Sequence, residues 1–241
     1  MICAALLAGG IGTRLKQGKP KQFVNINNKP ILVHSVETFL KVKEFDKIIV
    51  SSPKEYIGET EELMEKYFPQ NDKIIVIEGG ATRNGTILNS IYYMKNQNCK
   101  ENSILVTHDA SRIFVSELLI KNSIKYAIEI GAASAVIPAT DVIFESKEEG
   151  KLTDITLRKY LYHAQTPQSF NIDNFLEIYD DLSEDEIDKL DEAMMIFYLR
   201  GYAVKLFAGD SVNFKITRPF DITLAESVFN IRRNQFHLEQ D

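Results

Sequence analysis

Short apolar runs recur along this chain, and each stops at a small or polar residue. They fall at residues 2–7, 47–50, 73–77, 103–107 and 134–137, with amphipathic stretches between them. Residues 31–42 place Leu32, Val33, Val36, Phe39 and Leu40 at helical spacing, and residues 56–67 and 116–130 show the same period. A further helix is expected through Ile87, Leu88, Ile91 and Tyr92. Strands that are apolar throughout, separated by helices, predict a parallel sheet covered on both faces. The expected class is α/β: a Rossmann-like, mostly parallel sheet with helices on both faces.

The rhythm changes after Pro138. Residues 141–144 and 152–157 read as two strands around the polar turn Lys147-Glu148-Glu149-Gly150, a protruding hairpin rather than a crossover. Thr166-Pro167-Gln168 reads as a break between elements. Helices are expected near 172–179 and 191–200, a last strand at 203–207 and a closing helix over 219–229. The acidic run 180–188 reads as a solvated surface segment. No repeat or low-complexity linker divides the chain, so one domain is expected over 1–241, with a hairpin arm at about 139–160.

The first strand empties into Ala8-Gly9-Gly10-Ile11-Gly12-Thr13-Arg14 and then into a basic stretch ending at Phe23. Residues 1–36 contain no Asp or Glu, yet carry Arg14, Lys16, Lys19, Lys21 and Lys29, in a chain of net charge −6. Bare backbone N–H groups and concentrated positive charge at a strand end suit a polyphosphate. A dinucleotide turn would need G-x-G-x-x-G and an acid ending the second strand. Here the third glycine is missing and that strand ends in Ser51-Ser52, which counts against hydride transfer. The P-loop pattern is absent as well.

The acidic total excludes a general nucleic-acid or anionic-membrane surface. Cys3 falls in the buried first strand, and neither Cys3 nor Cys99 has metal or disulfide spacing. The opening apolar run is too short for a signal or a span, so a cytoplasmic location is expected.

Ligands of an open parallel sheet bind beyond the carboxyl ends of its strands. Those ends bring together Ala8-Gly9-Gly10, Ser51-Ser52, Glu78-Gly79-Gly80 and Thr107-His108-Asp109. Asp109 fits a Mg²⁺ ligand, since magnesium needs one or two carboxylates plus substrate phosphates; a turn-capping role fits it equally. His108 reads as a packed strand-end residue, and His34, His163 and His237 have no partner at metal spacing. Arg83, Arg112, Arg158 and Arg218 each read alone as solvated charges. Lys215 differs: lying within the apolar stretch 214–216, it must snorkel or face an anion.

Six ordered motifs then resemble one family: Leu7-Ala8-Gly9-Gly10-x-Gly12-Thr13-Arg14, Pro20-Lys21-Gln22-Phe23, Gly79-Gly80-x-x-Arg83, His108-Asp109-Ala110-x-Arg112, Thr166-Pro167-Gln168-x-Phe170 and Asn213-x-Lys215-Ile216-Thr217. They are similar to the methylerythritol-phosphate and polyol-phosphate cytidylyltransferases. The Leu-Ala-Gly-Gly turn resembles the ribitol-5-phosphate branch, which makes a teichoic-acid or capsule precursor. The resemblance implies transfer of CMP from CTP to a polyol phosphate, D-ribitol 5-phosphate first and 2-C-methyl-D-erythritol 4-phosphate of isoprenoid synthesis as the alternative. A rival of another class is a non-catalytic nucleotide-binding module, which would bind CTP without releasing pyrophosphate.

The same resemblance implies residue roles. Leu7, Ala8, Gly9, Gly10 and Gly12 wrap the nucleotide, and Arg14 and Lys21 hold its phosphates. Gly79, Gly80 and Thr86 border the cytosine, Asp109 meets the ribose side and binds Mg²⁺, and Arg83 and Ala110 are nucleotide-binding as well. Lys215 reaches the α-phosphate, so Arg14, Lys21 and Lys215 form the catalytic set. Arg112, Arg158 and Thr166 face the acceptor, with the hairpin as a dimerisation arm that carries Arg158 to a second copy in a homodimer. The chain departs from the family at Ile113, where a proline is usual, and at Leu190, where a threonine is common.

Overall fold

The structure, a computed structural model, describes residues 1–9, 20–187, 189–190 and 192–238, the last four by backbone alone. Gly10, Gly12 and Arg14 lie outside the described residues, as do Lys16, Lys19 and the side chain of His237. The chain opens with β1 (Ile2–Leu7), a small antiparallel pair β2 (Asn25–Ile26) and β3 (Lys29–Pro30), then α1 (Ile31–Leu40) and β4 (Lys47–Ser52). It continues through α2 (Ile57–Tyr67), β5 (Ile74–Glu78), α3 (Arg83–Asn96), β6 (Ile104–Asp109), α4 (Glu117–Ile130) and β7 (Ala132–Pro138). The hairpin is β8 (Phe144–Glu145) with β9 (Asp154–Ile155). After it come β10 (Tyr162–Asn171), α5 (Ile172–Asp180), α6 (Glu184–Ile187), α7 (Ala193–Leu199), β11 (Lys205–Ala208) and α8 (Pro219–Leu238).

Seven strands form one sheet in the order β11-β7-β10-β6-β1-β4-β5. All pairings are parallel except those of β10, which runs antiparallel to both β6 and β7. This mostly parallel α/β sheet is the expected fold class. Strand residues alternate between its faces. Ala4, Leu6, Ile48 and Val50 meet Val36 and Phe39 of α1 and Ile120 of α4. Cys3, Ala5 and Ile49 meet Ile87 and Ile91 of α3, Phe175 of α5 and Phe197 of α7 on the other face. Phe39 and Phe197 are wholly or almost wholly buried, and each contributes about 2 kcal/mol by leaving water. Cys3 is a core residue as expected, its thiol pushed up to about 12 chiefly by burial.

Two expectations change and one gains detail. Thr166-Pro167-Gln168 does not separate elements; it lies inside β10, with a cis Thr166–Pro167 bond. The pairing with β7 jumps from Ala164↔Val136 to Gln168↔Ser134, so residues 165–167 bulge out, and a bulge is where a strand tolerates proline. The acidic run is a surface segment as expected, and what it adds is a short helix, α6, clasped by Arg200, whose guanidinium donates to Glu186 and Asp181. Helix α8 runs to Leu238, beyond the expected 229, and with residues 24–31, 113–114 and 214–216 it builds a third apolar cluster around Ile113, Ile216 and Ala225. Among the described residues no helix is long and apolar enough to cross a membrane.

Candidate active site

From β1 the chain builds outward to β4 and β5 on one side; from β6 it builds toward β10 and β7 on the other. The gap between their carboxyl ends is therefore the topological switch point of the sheet, where a crevice opens. The register sets Leu7 opposite Asp109. A pocket of about 290 Å³ opens there, lined by Leu7, Gly9, Lys21, Gly80, Thr86 and Lys215, among others. An adjoining cavity of about 170 Å³ shares Arg83, Asp109 and Lys215 with it and adds Arg112, Thr166 and Glu192. A separate hollow of about 320 Å³ beside α2 and β5 is lined by Glu61, Glu65, Asn71 and apolar side chains without a cation, which does not suit a polyphosphate.

On one side the wall is the turn into α3. Gly79 N–H donates to Ser52 O at 2.8 Å, and Gly80 N–H donates to Thr86 Oγ1 at 3.0 Å. A Cβ on Gly80 would stand 2.3 Å from the Gly85 carbonyl carbon and 2.6 Å from Thr86 N, so only glycine lets the turn close on the helix. Thr82 caps α3 by accepting from Gly85 N–H at 3.0 Å. The positive end of α3 thus borders the pocket, and Arg83 in its first turn points the same way.

On the other side stands Asp109. Its Oδ1 lies 3.5 Å from Arg83 Nη1; its Oδ2 lies 3.2 Å from Arg112 Nε and 3.0 Å from Lys215 Nζ. Burial alone would raise its pKa, but Arg83, Lys215 and Arg112 outweigh burial and hold it well below the usual carboxylate range. One carboxylate among three cations leaves a positive surplus facing the cavity. Lys21 adds to it, its Nζ donating to Ser111 Oγ at 3.1 Å.

Lys215 is aimed by its neighbours. Ile216 is buried in the third apolar cluster, and its N–H donates to Ser111 O at 3.0 Å. Asn213 Nδ2 donates to Thr166 O at 2.8 Å, and Arg112 Nη1 donates to Asn213 O at 3.0 Å. Ile113 takes its place in the same cluster as an apolar filler, and Arg112 beside it still reaches Asp109.

His108 is fully buried, and burial pushes it down to about 4, so the ring is neutral. Its Nε2 lies 3.0 Å from Arg112 O, which can only accept; the proton therefore sits on Nε2 and leaves Nδ1 as an acceptor. Thr166 hydroxyl then donates to Nδ1 at 3.0 Å while its oxygen accepts Asp109 N–H, also at 3.0 Å. Thr166, expected at the acceptor, is thus a brace between His108 and Asp109 at the edge of the smaller cavity.

The expected residues are largely brought together: Leu7, Gly9, Lys21, Gly79, Gly80, Arg83, Thr86, Asp109, Arg112, Thr166 and Lys215 line the two cavities or the turn beside them. Ala8 and Ala110 lie buried beneath, their N–H groups held by Ser51 O and Leu7 O. Arg158 stands apart at the base of the arm, donating to Thr140 O at 2.9 Å, and lines neither cavity. Sequence reasoning missed Ser111, Gln168 and Glu192. Gln168 accepts from Arg83 Nη2 at 3.2 Å; the motif containing it was visible, but its strand was hidden by Pro167.

A glycine turn and a cation surplus at the switch point of a parallel sheet are the geometry that suits a nucleotide. Residues 2–231 match the family model described as IspD, 2-C-methyl-D-erythritol 4-phosphate cytidylyltransferase, so the chain belongs to that family of nucleotidyltransferases. The chain is similar in structure to a 4-diphosphocytidyl-2C-methyl-D-erythritol synthase from Anaerococcus prevotii, with TM-score 0.81, 25% identity, and coverage of 95% of this chain and 96% of that one. The Thermus thermophilus 2-C-methyl-D-erythritol 4-phosphate cytidylyltransferase superposes with TM-score 0.71 at 23% identity, covering 95% and 98% of the two chains. That from Francisella tularensis gives 0.78 at 23% identity, over 93% and 97%. The last two likenesses speak to the fold.

Proposed function

We propose that this cytidylyltransferase joins CMP from CTP to a polyol phosphate and releases pyrophosphate. The observation that carries the reading is the Asp109 cluster, where Arg83, Arg112 and Lys215 converge on one carboxylate at the switch point between two adjoining cavities. The larger cavity suits CTP and the smaller the acceptor. An oxygen of the acceptor phosphate attacks the α-phosphorus, a new P–O bond forms, and the bond to the β-phosphate oxygen breaks. A phosphate dianion is already ionised near pH 7, so no general base is needed. Catalysis is then positioning and charge neutralisation by Lys21 and Lys215, with Arg14 assigned to the same task from its motif.

Magnesium fits the donor set. Among the described residues no group of three or more His, Cys, Asp or Glu could hold a metal, but one carboxylate and substrate phosphates suffice for Mg²⁺. Asp109 would hold it through Oδ1, whose one hydrogen bond among the described residues is the long 3.5 Å one to Arg83. The ion would supply further neutralisation of the triphosphate.

The family match and the Anaerococcus structure support 2-C-methyl-D-erythritol 4-phosphate as acceptor. The Leu7-Ala8-Gly9-Gly10 turn supports D-ribitol 5-phosphate as a second reading. The hairpin carries exposed Val142, Phe144, Leu157 and Tyr160, which suits an arm that pairs two copies and brings Arg158 to the other copy's acceptor cavity. Pyrophosphate release from CTP with Mg²⁺ and each polyol phosphate in turn tests the reading. Release with the methylerythritol compound alone supports the first acceptor, release with the ribitol compound alone supports the second, and CTP binding without release refutes both.

A further inference from the structure

The segment leading into α7 holds a residue whose chemistry is not yet accounted for. Leu190, standing where the family commonly has threonine, offers no hydroxyl. Its side chain packs on the apolar cluster of α3, α5 and α7, and its carbonyl accepts from Asn84 Nδ2 at 3.1 Å. Two residues on, Glu192 occupies the N-cap position of α7, yet its side chain makes no capping hydrogen bond. It lines the smaller cavity instead, together with Arg112, Thr166 and Lys215. The Glu192 side chain keeps 32% exposure in the cavity lining, and its Oε1, though shielded, accepts no hydrogen bond from any described residue. The nearest described cation, Arg83 Nη2, is 4.0 Å away and already donates to Gln168 Oε1 at 3.2 Å. A shielded carboxylate oxygen without a donor is unfavourable, and native structures seldom keep one unless something else donates to it.

We propose that Glu192 is an acceptor-specificity residue that receives the hydroxyl groups at the polyol end of the phosphate substrate. The inference rests on the polyol-phosphate reading of this site. Arg112 and Lys215 sit in the same cavity and take the dianionic phosphate, while repulsion from the Glu192 carboxylate keeps that phosphate away from its own end. The hydroxyls are the donors such an acceptor has, and a carboxylate accepts two neighbouring ones at once. The same charge rejects an acceptor bearing a carboxylate at its far end.

The experiment compares the wild type with Glu192→Gln and Glu192→Ala. Pyrophosphate release is measured with CTP and Mg²⁺ on 2-C-methyl-D-erythritol 4-phosphate and D-ribitol 5-phosphate. Butyl phosphate, which lacks the hydroxyls, serves as a competitor of the acceptor, and calorimetric CTP binding reports the donor half. Glu192→Ala should raise KM for the preferred polyol phosphate about 10- to 100-fold, a loss typical of hydrogen bonds to a charged group, with the Ki of butyl phosphate and the Kd of CTP within about twofold of the wild type. Glu192→Gln, which keeps one acceptor oxygen but no charge, should fall between. If the KM of the polyol phosphate and the Ki of butyl phosphate move by the same factor, or neither moves, Glu192 does not read hydroxyls and the proposal is overturned. If Glu192→Ala no longer binds CTP, the isosteric Glu192→Gln decides by the same comparison. Wild-type protein that releases no pyrophosphate with any polyol phosphate refutes the transfer reading itself, a result distinct from a silent Glu192.

Discussion

Lys215 Nζ lies 3.0 Å from Asp109 Oδ2, so a lysine carried by a loop before α8 is held by the last residue of β6. Asp109→Ala removes the one negative charge around which Arg83, Arg112 and Lys215 converge. The three cations then repel one another, and stability should fall by about 3 kcal/mol, the low end of the range for breaking a buried pair because Lys215 and Arg83 keep access to water. Urea unfolding measures the loss, and an unchanged midpoint would show that the cluster is held by its surroundings instead.

Lys21→Ala and Lys215→Ala address the chemical step. If each neutralises charge that develops on the phosphates, each should lower kcat at least about 10²-fold. Steady-state pyrophosphate release gives the value, and near-normal turnover in both variants would remove the proposed mechanism.

Gly80→Ala tests the turn. The added methyl would meet Gly85 and Thr86 backbone at 2.3 and 2.6 Å, where no side chain can swing aside. The expected cost is about 1–3 kcal/mol, typical of overpacking, with weaker CTP binding because the N-terminus of α3 is displaced. Gly9→Ala is the control, since a Cβ there meets nothing within 4 Å among the described residues and the melting temperature should hold.

Acid should loosen the protein in two steps. Folded His108 titrates at about 4 because burial disfavours its charged form, whereas the unfolded residue titrates near 6.5. The folded state therefore binds fewer protons over that interval, and stability that is intact above pH 6.5 is lost as pH falls through 4, by about 3 kcal/mol. Asp109, also depressed, adds a loss that begins only below about pH 4. Unfolding free energies in EDTA at pH 7.5, 6, 5 and 4.5 should decline steadily, and His108→Gln should flatten that part of the curve.

Phe144→Asp with Leu157→Asp places charge on the apolar face of the arm, where both residues are exposed in the single chain. Sedimentation should show a shift from dimer to monomer, and turnover should fall with it. Arg158→Ala should lower turnover while leaving the sedimentation coefficient unchanged; loss of both together would deny the arginine a role at the partner's site.

The parallel half of the fold was legible because its signals are local. An apolar run ending in Gly-Gly, or in His-Asp, is both a strand end and a ligand edge, and β1, β4, β5 and β6 stand within a residue or two of expectation. Strand β10 was not legible: Tyr162, His163, Gln165 and Pro167 make neither an alternating pattern nor an apolar run, and the strand exists because β6 and β7 both pair with it. The role of Thr166 depends on that pairing, which sets it beside Asp109. Glu192 was hidden differently, since an acid before a helix ordinarily reads as a favourable first-turn charge. Its importance lies in what surrounds it, which no spacing reveals.

Strand β10 runs against its neighbours. Gly9, Gly79 and Gly80 hang from strand ends, whereas Gln168 is paired with Thr107 on one flank and Ser134 on the other, and Thr166, on the bulge, is tied through its hydroxyl to Asp109 N–H and His108 Nδ1. The wall that β10 supplies is therefore an anvil, and a closing of the pocket is expected from the side of the glycine turns.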